Sequence, residues 1–292
     1  VALMDYLSDK RETINDYLDM YLREYSTPGR LQDAMLYSLR AGGKRLRPIL
    51  LMATAEAFGV EETKTLGVSS SLEMIHTYSL IHDDLPAMDD DDVRRGQPTN
   101  HKQFDEATAI LAGDALLTMS SRIVAEDPAL SDRERVYLIK ELAKASGATG
   151  MVEGQMQDML SENKQITLDE LESIHRNKTG QLLRFSVMAG AYLGGASSEA
   201  SAAMEKMADA LGLIFQIQDD ILDVTGDAAV IGKPTGSDEG NHKSTYPQLL
   251  GLEGAVEQKE QYVGIAKQAL KDAGVEGTFL SQLIEYLSDR DH

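Results

Sequence analysis

Apolar positions recur along this chain at the three- and four-residue spacing of helices, not at the alternation of strands. Tyr6, Tyr17, Leu18, Tyr21 and Leu22 form a stripe that stops near Thr27-Pro28-Gly29. Leu31, Met35, Leu36 and Leu39 continue on a second helix, closed by Gly42-Gly43. Further helices are predicted over 66–82, 104–123, 133–145 and 168–193. The stretch 202–224 is strongly patterned, with Met204, Met207, Ala208, Leu211, Phe215 and Leu222 on one face. Two last helices are expected over 253–273 and 279–287. No linker, low-complexity tract or repeat divides the chain, so one all-α domain over 1–292 is expected. The segment 226–247 reads as a long loop dense in Gly, Asp and Lys, the kind that acts as a lid or binding loop.

Composition narrows the function classes. With 42% apolar residues in 292, a sizeable core is available and wholesale disorder is excluded. Forty-eight acidic against 28 basic side chains give a net charge of −20, which disfavours nucleic acid and anionic membranes as partners. An acidic chain that binds anions must do so through local cations or a metal. Cysteine is absent, which removes disulfides, thiolate metal sites and cysteine nucleophiles and fits a reducing compartment. The first seven residues are followed at once by Asp9, Lys10 and Arg11, so no secretory leader is expected. No run of eighteen apolar residues occurs, so no membrane insertion is expected and the location is read as cytoplasmic.

Two acidic clusters carry the candidate chemistry. The first, Asp83-Asp84-Leu85-Pro86-Ala87-Met88-Asp89-Asp90-Asp91-Asp92, follows an apolar helix. Its carboxylates repel one another and oppose the helix dipole, and a hard divalent cation relieves both. A lone acidic run is more simply a solvated turn. In the second, Asp219 and Asp223 share a helical face, with Gln216 just before them and next to the apolar row. Carboxylates facing inward need a metal or a cationic partner.

Cations gather in three places: Lys44, Arg45 and Arg47 after Gly42-Gly43; Arg94-Arg95 after the first cluster; and Lys233 and Lys243 in the late loop. Arg forks match phosphate oxygens and Lys supplies a mobile point charge, although Lys44-Arg45 could equally neutralise the end of the preceding helix. His76 lies two turns before Asp83, where it could donate to a diphosphate or simply pack. Lys178-Thr179-Gly180 sits inside a predicted helix. No P-loop, Gly-x-Ser-x-Gly elbow or zinc pattern is found.

Taken in order, Gly42-Gly43-Lys44-Arg45-Leu46-Arg47-Pro48, His82-Asp83-Asp84 through Asp89, Arg94-Arg95-Gly96, Leu111-Ala112-Gly113-Asp114, Lys178-Thr179-Gly180, Phe215-Gln216 through Asp223, Gly232-Lys233 and Lys243-Ser244-Thr245 resemble the trans-isoprenyl diphosphate synthases, most closely the bacterial farnesyl diphosphate synthases. The resemblance implies an antiparallel helical bundle around a deep central cavity, a homodimer, and head-to-tail condensation of isopentenyl diphosphate with dimethylallyl and geranyl diphosphate. It implies Mg²⁺ on Asp83, Asp89 and Asp219, with Asp84 and Asp223 as supporting carboxylates or weaker ligands. Arg94, Lys178, Gln216, Lys233 and Lys243 would surround the allylic diphosphate, and Lys44, Arg47, His76 and Arg95 would hold isopentenyl diphosphate. Thr179, Gln216 and the Lys178 carbonyl would steady an allylic cation. Tyr78 and Ser79 would shape the cavity floor and limit the product to fifteen carbons. On a straight helix Tyr78 lies about 140° around from Asp83, so that placement comes from the family alone. A geranylgeranyl diphosphate synthase, a class I terpene cyclase and a silent partner subunit are the competing readings.

Overall fold

The computed structural model describes residues 2–226, 235–236 and 243–291, and they are almost wholly helical. The chain forms two compact units: Val1–Met52 with Glu61–Lys140, and Ala53–Val60 with Glu141–His292.

The first unit contains α1 (Ala2–Tyr25), α2 (Arg30–Arg40), most of α3 (Leu46–Ala57), α4 (Leu66–Asp83), α5 (Asn100–Gln103), α6 (Glu106–Ala125) and the start of α7 (Asp132–Ser146). A two-residue hairpin, β1 (Val93–Arg94) with β2 (Gln97–Pro98), pairs Val93 with Pro98. The central helix is α4, buried on nearly every side from Leu66 to Tyr78. A helix covered all round reads as core. Ser70 folds back on the backbone, its Oγ donating to the Leu66 carbonyl at 2.7 Å. α4 packs along α6. The two approach closely because residue 113 is glycine: a Cβ there would lie 2.2 Å from His82 Nε2. The Leu111–Asp114 motif thus serves packing as well as any site. α6 is the one described helix long and apolar enough to cross a bilayer by length and composition, and it carries Glu106, Asp114 and Arg122.

The second unit contains α8 (Met151–Leu160), α9 (Leu168–His175), a π-helical turn (Arg176–Gly180), α10 (Gln181–Leu193), α11 (Ser198–Thr225), α12 (Tyr246–Asp272) and α13 (Phe279–Asp289). Here α11 is the spine, packing on α12, α10 and α13. A capping box starts α9, with Thr167 and Glu170 exchanging side-chain bonds with each other's backbone. The same device, Thr245 with Gln248, starts α12.

Three sequence expectations change. The single helix over 168–193 is α9 and α10 joined through the π turn, because one inserted residue widens the helix without breaking its apolar pattern. The last long helix begins at Tyr246 instead of 253, with a bend where Gly251 leaves helical geometry at φ 75°. Three helices, α3, α8 and the four-residue α5, stand where none was singled out.

Candidate active site

In the first unit, α4 ends at Asp83 and the chain turns back over its last carbonyls. Asp84 N–H donates to Leu80 O at 3.0 Å, Asp89 N–H to Asp83 O at 2.8 Å and Asp91 N–H to Asp84 O at 3.1 Å. The end of a helix leaves carbonyls that need such donors. This folding makes Asp83 and Asp89 half-buried neighbours along one loop while Asp84 turns inward, 3% exposed. Asp84 accepts a two-pronged contact from Arg94, Nε to Oδ2 at 2.9 Å and Nη2 to Oδ1 at 2.7 Å. A fork of this kind fixes the guanidinium plane. Asp84 therefore orients Arg94.

The Gly42–Pro48 motif divides. Arg45, at φ 56°, turns into the protein, where its side chain is 3% exposed. It pairs with Glu73 at 3.0 Å, donates to Asn15 Oδ1 at 2.8 Å, and donates to the Leu39 carbonyl in the last turn of α2. The helix-end role left open for this segment belongs to Arg45. Lys44 and Arg47 stay half-buried. Arg47 Nη1 lies 3.3 Å from His76 Nε2. Arg95 donates to the Gly42 carbonyl. Burial first, then the guanidinium charges of Arg47, Arg95, Arg94 and Arg45, drive the His76 pKa well below its ordinary value. His76 is neutral at pH 7 and set among positive charges, an environment that favours an anion.

Tyr78 is buried, its ring edge-on to His82 with centroids 5.4 Å apart. Ser79 Oγ donates to the His76 carbonyl at 2.6 Å.

In the second unit, Lys178 and Thr179 lie on the π turn, a device frequent at functional sites. Lys178 Nζ donates to Asp158 Oδ2 at 2.7 Å, and Lys243 Nζ donates to the same oxygen at 2.9 Å. Burial acts to raise the Asp158 pKa, but the two lysines outweigh it and hold the group below the usual carboxylate range. Asp220 is buried; its Oδ2 accepts the Tyr246 N–H that starts α12, at 3.0 Å, and its Oδ1 accepts Gln216 Nε2 at 3.1 Å. That bond turns the Gln216 amide oxygen away from Asp220. Asp219 is half-buried and paired with Arg290, whose guanidinium lies 4.4 Å from the Phe215 ring centroid and donates to the Phe215 carbonyl at 3.0 Å. Asp223 is buried. Lys233 lies outside the described residues.

The structure thus brings Arg47, His76 and Arg95 together in one unit, and Lys178 and Lys243 together in the other. Asp158 and Arg290 escaped the sequence reading, and Asp220, part of the second acidic motif, was given no role of its own. A signal for Asp158 existed: an acid four residues after Gly154, among Met151, Met156 and Met159. Among the described residues no three carboxylate or imidazole groups converge as a self-contained metal cage. Mg²⁺ needs none, since it takes one or two carboxylates and completes its shell with water and phosphate oxygens. Asp83 and Asp89 in the first unit, and Asp219 in the second, are half-buried carboxylates, the hard oxygen donors that ion takes.

The polyprenyl synthetase family profile matches residues 28–281. The farnesyl diphosphate synthase of Geobacillus stearothermophilus is 48% identical over 294 residues, covering 100% of this chain and 99% of the relative. That of Bacillus subtilis (strain 168) is 48% identical, covering 99% of both. Among solved structures, an FPP/GFPP synthase from Zymomonas mobilis superposes with a TM-score of 0.85 at 36% identity over 99% of each chain. With its helical fold, its ordered motifs and these full-length likenesses, the chain belongs to the polyprenyl synthetase family.

Proposed function

We propose that the chain, acting as one synthase domain, is a prenyltransferase that condenses isopentenyl diphosphate with dimethylallyl and then geranyl diphosphate to give farnesyl diphosphate, releasing diphosphate. The observation that carries this is the half-buried His76 with its Nε2 3.3 Å from Arg47, within a group of guanidinium charges that holds its pKa down. Such a receptor suits a diphosphate bound without metal, which a synthase needs and an ion binder or cyclase does not.

In this reading Lys44, Arg47, His76 and Arg95 hold isopentenyl diphosphate. Arg94, oriented by Asp84, and Lys178, Lys243 and Lys233 hold the allylic diphosphate. Asp83, Asp89 and Asp219 would hold Mg²⁺, which when bound neutralises charge on a departing diphosphate. The cations complement that growing charge without reorganising. The allylic carbon–oxygen bond breaks, and the Thr179 hydroxyl, the Gln216 amide oxygen and the Lys178 carbonyl turn their negative ends to the resulting cation. The double bond of the held isopentenyl unit adds to that cation. A proton then leaves the new chain for the released diphosphate. Tyr78, with Ser79, forms the floor that stops growth at fifteen carbons. A homodimer in the cytoplasm is the proposed setting, as for the family.

The test is incubation with geranyl diphosphate in Mg²⁺ buffer, with and without isopentenyl diphosphate, for the natural chain and for Asp83→Ala and Asp219→Ala. Prenyl chain growth that needs isopentenyl diphosphate and is lost in both variants is expected, with helical content unchanged by circular dichroism. Consumption of geranyl diphosphate alone would point to a cyclase, and natural-chain turnover in either variant would sink the metal assignment.

A further inference from the structure

The arrangement around Asp158 goes beyond any role the motifs assign. α8 presses against the π turn so closely that a Cβ on Gly154 would lie 2.2 Å from the Lys178 amide nitrogen. Asp158 follows Gly154 by four residues, hence on the same face of α8 and near its C-terminal end. A carboxylate there is opposed by the helix dipole, so its place depends on cations. Two supply it, from different segments: Lys178 on the π turn and Lys243 just before α12, both donating to Oδ2. The side chains are 12%, 26% and 13% exposed for Asp158, Lys178 and Lys243, so water screens the cluster only in part. Without the shared anion, two ammonium groups this close would repel, and one would shed its proton more easily.

We propose that Asp158 is a positioning residue: its Oδ2, shared by Lys178 and Lys243, holds the two ammonium groups side by side and charged as a preassembled receptor for the allylic diphosphate. This rests on the diphosphate-binding reading of the two lysines given above. The charge balance explains why the pairing is productive. One carboxylate cancels one of two positive charges, so the empty receptor is stable, and the net positive charge that remains attracts the ligand. His175 also faces the cluster, and burial, followed by the charge of Lys178, pushes its pKa down to about 3. It stays neutral above pH 6, as do Tyr246 and Tyr262, raised by burial and then by Glu172 between them.

The experiment is calorimetric binding of inorganic diphosphate in Mg²⁺ buffer saturated with isopentenyl diphosphate, which fills the other receptor, at pH 7 and pH 9, for the natural chain, Asp158→Asn, Asp158→Glu, Lys178→Gln and Lys243→Gln. Dividing each variant's affinity by that of the natural chain removes the ligand's own titration. The expected result is an Asp158→Asn ratio that falls by about tenfold between pH 7 and pH 9, one lysine having lost its proton. Asp158→Glu keeps the charge, so its ratio is flat with pH, and it raises KM for geranyl diphosphate more than it lowers kcat. A flat ratio for Asp158→Asn, with weakened binding in both lysine variants, overturns the role of Asp158 alone. Unchanged binding in both lysine variants overturns the receptor itself. Should Asp158→Asn fail to fold, Asp158→Glu decides: a pH-dependent ratio or an unchanged KM overturns the proposal.

Discussion

Replacing Arg45 by methionine should destabilise the chain far more than the loss of a surface cation would. The substitution keeps the length and much of the volume of the side chain but leaves Glu73, 2% exposed, without its cation. It also removes donors to Asn15 and to the Leu39 carbonyl at the end of α2. Removing one partner of a buried pair costs about 3–5 kcal/mol, because the remaining charge is stranded. For a chain of this size that is roughly a 5–8 °C fall in melting temperature. The assay is calorimetric or urea unfolding of Arg45→Met, Glu73→Met and the double variant. Because the net worth of a buried pair against apolar residues is small, the double variant should recover most of the loss, an interaction energy of about 2 kcal/mol or more. A fall below about 2 °C for Arg45→Met, or strict additivity in the double variant, would refute the reasoning. Either result would return Arg45 to the list of candidate ligand-binding cations.

Three further outcomes are expected. Gly154→Ala puts a Cβ against backbone atoms of Asn177 and Lys178 that cannot rotate away, so it should cost at least about 1–3 kcal/mol and lower condensation activity together with melting temperature; a stable, fully active variant would deny the α8–π-turn contact. His175 has a folded pKa of about 3, below its ordinary value of 6.5, so the unfolded chain takes up the proton first as pH falls. Stability is then whole above pH 6.5 and declines by about 1.4 kcal/mol per unit down toward pH 3; His175→Phe should flatten that slope in pH-dependent urea unfolding, and an unchanged slope would reject the assignment. Tyr78→Ala should lengthen the product seen by chromatography, whereas a product still of fifteen carbons would remove Tyr78 as the floor.

The periodic helices were legible because one face of each is buried and the other is wet, as in α1, where Leu7, Ile14, Leu18 and Leu22 line the buried side. α3 was not, because Ile49, Leu50, Leu51, Met52 and Ala53 are all buried and leave a short apolar run with no period; α4, buried nearly as fully, was legible by its length. The π turn was silent for a different reason: it adds a residue to a helix whose composition does not change. At the site, residue types announced themselves while their division of labour did not. Nothing in Asp83-Asp84 says that Asp84 is taken by Arg94 ten residues on, nor in Asp219-Asp220 that Asp220 caps α12. Those roles are set by partners brought in through the fold. Arg45 and Arg47 are two residues apart in one motif, yet a positive φ turns the first into the core and leaves the second beside His76.

The central claim is prenyl transfer to a fifteen-carbon product. Chromatography of the product formed from labelled isopentenyl diphosphate and geranyl diphosphate in Mg²⁺ tests it most directly. The account predicts farnesyl diphosphate as the dominant labelled species, whereas no labelled prenyl diphosphate, or mainly one of twenty or more carbons, would contradict it.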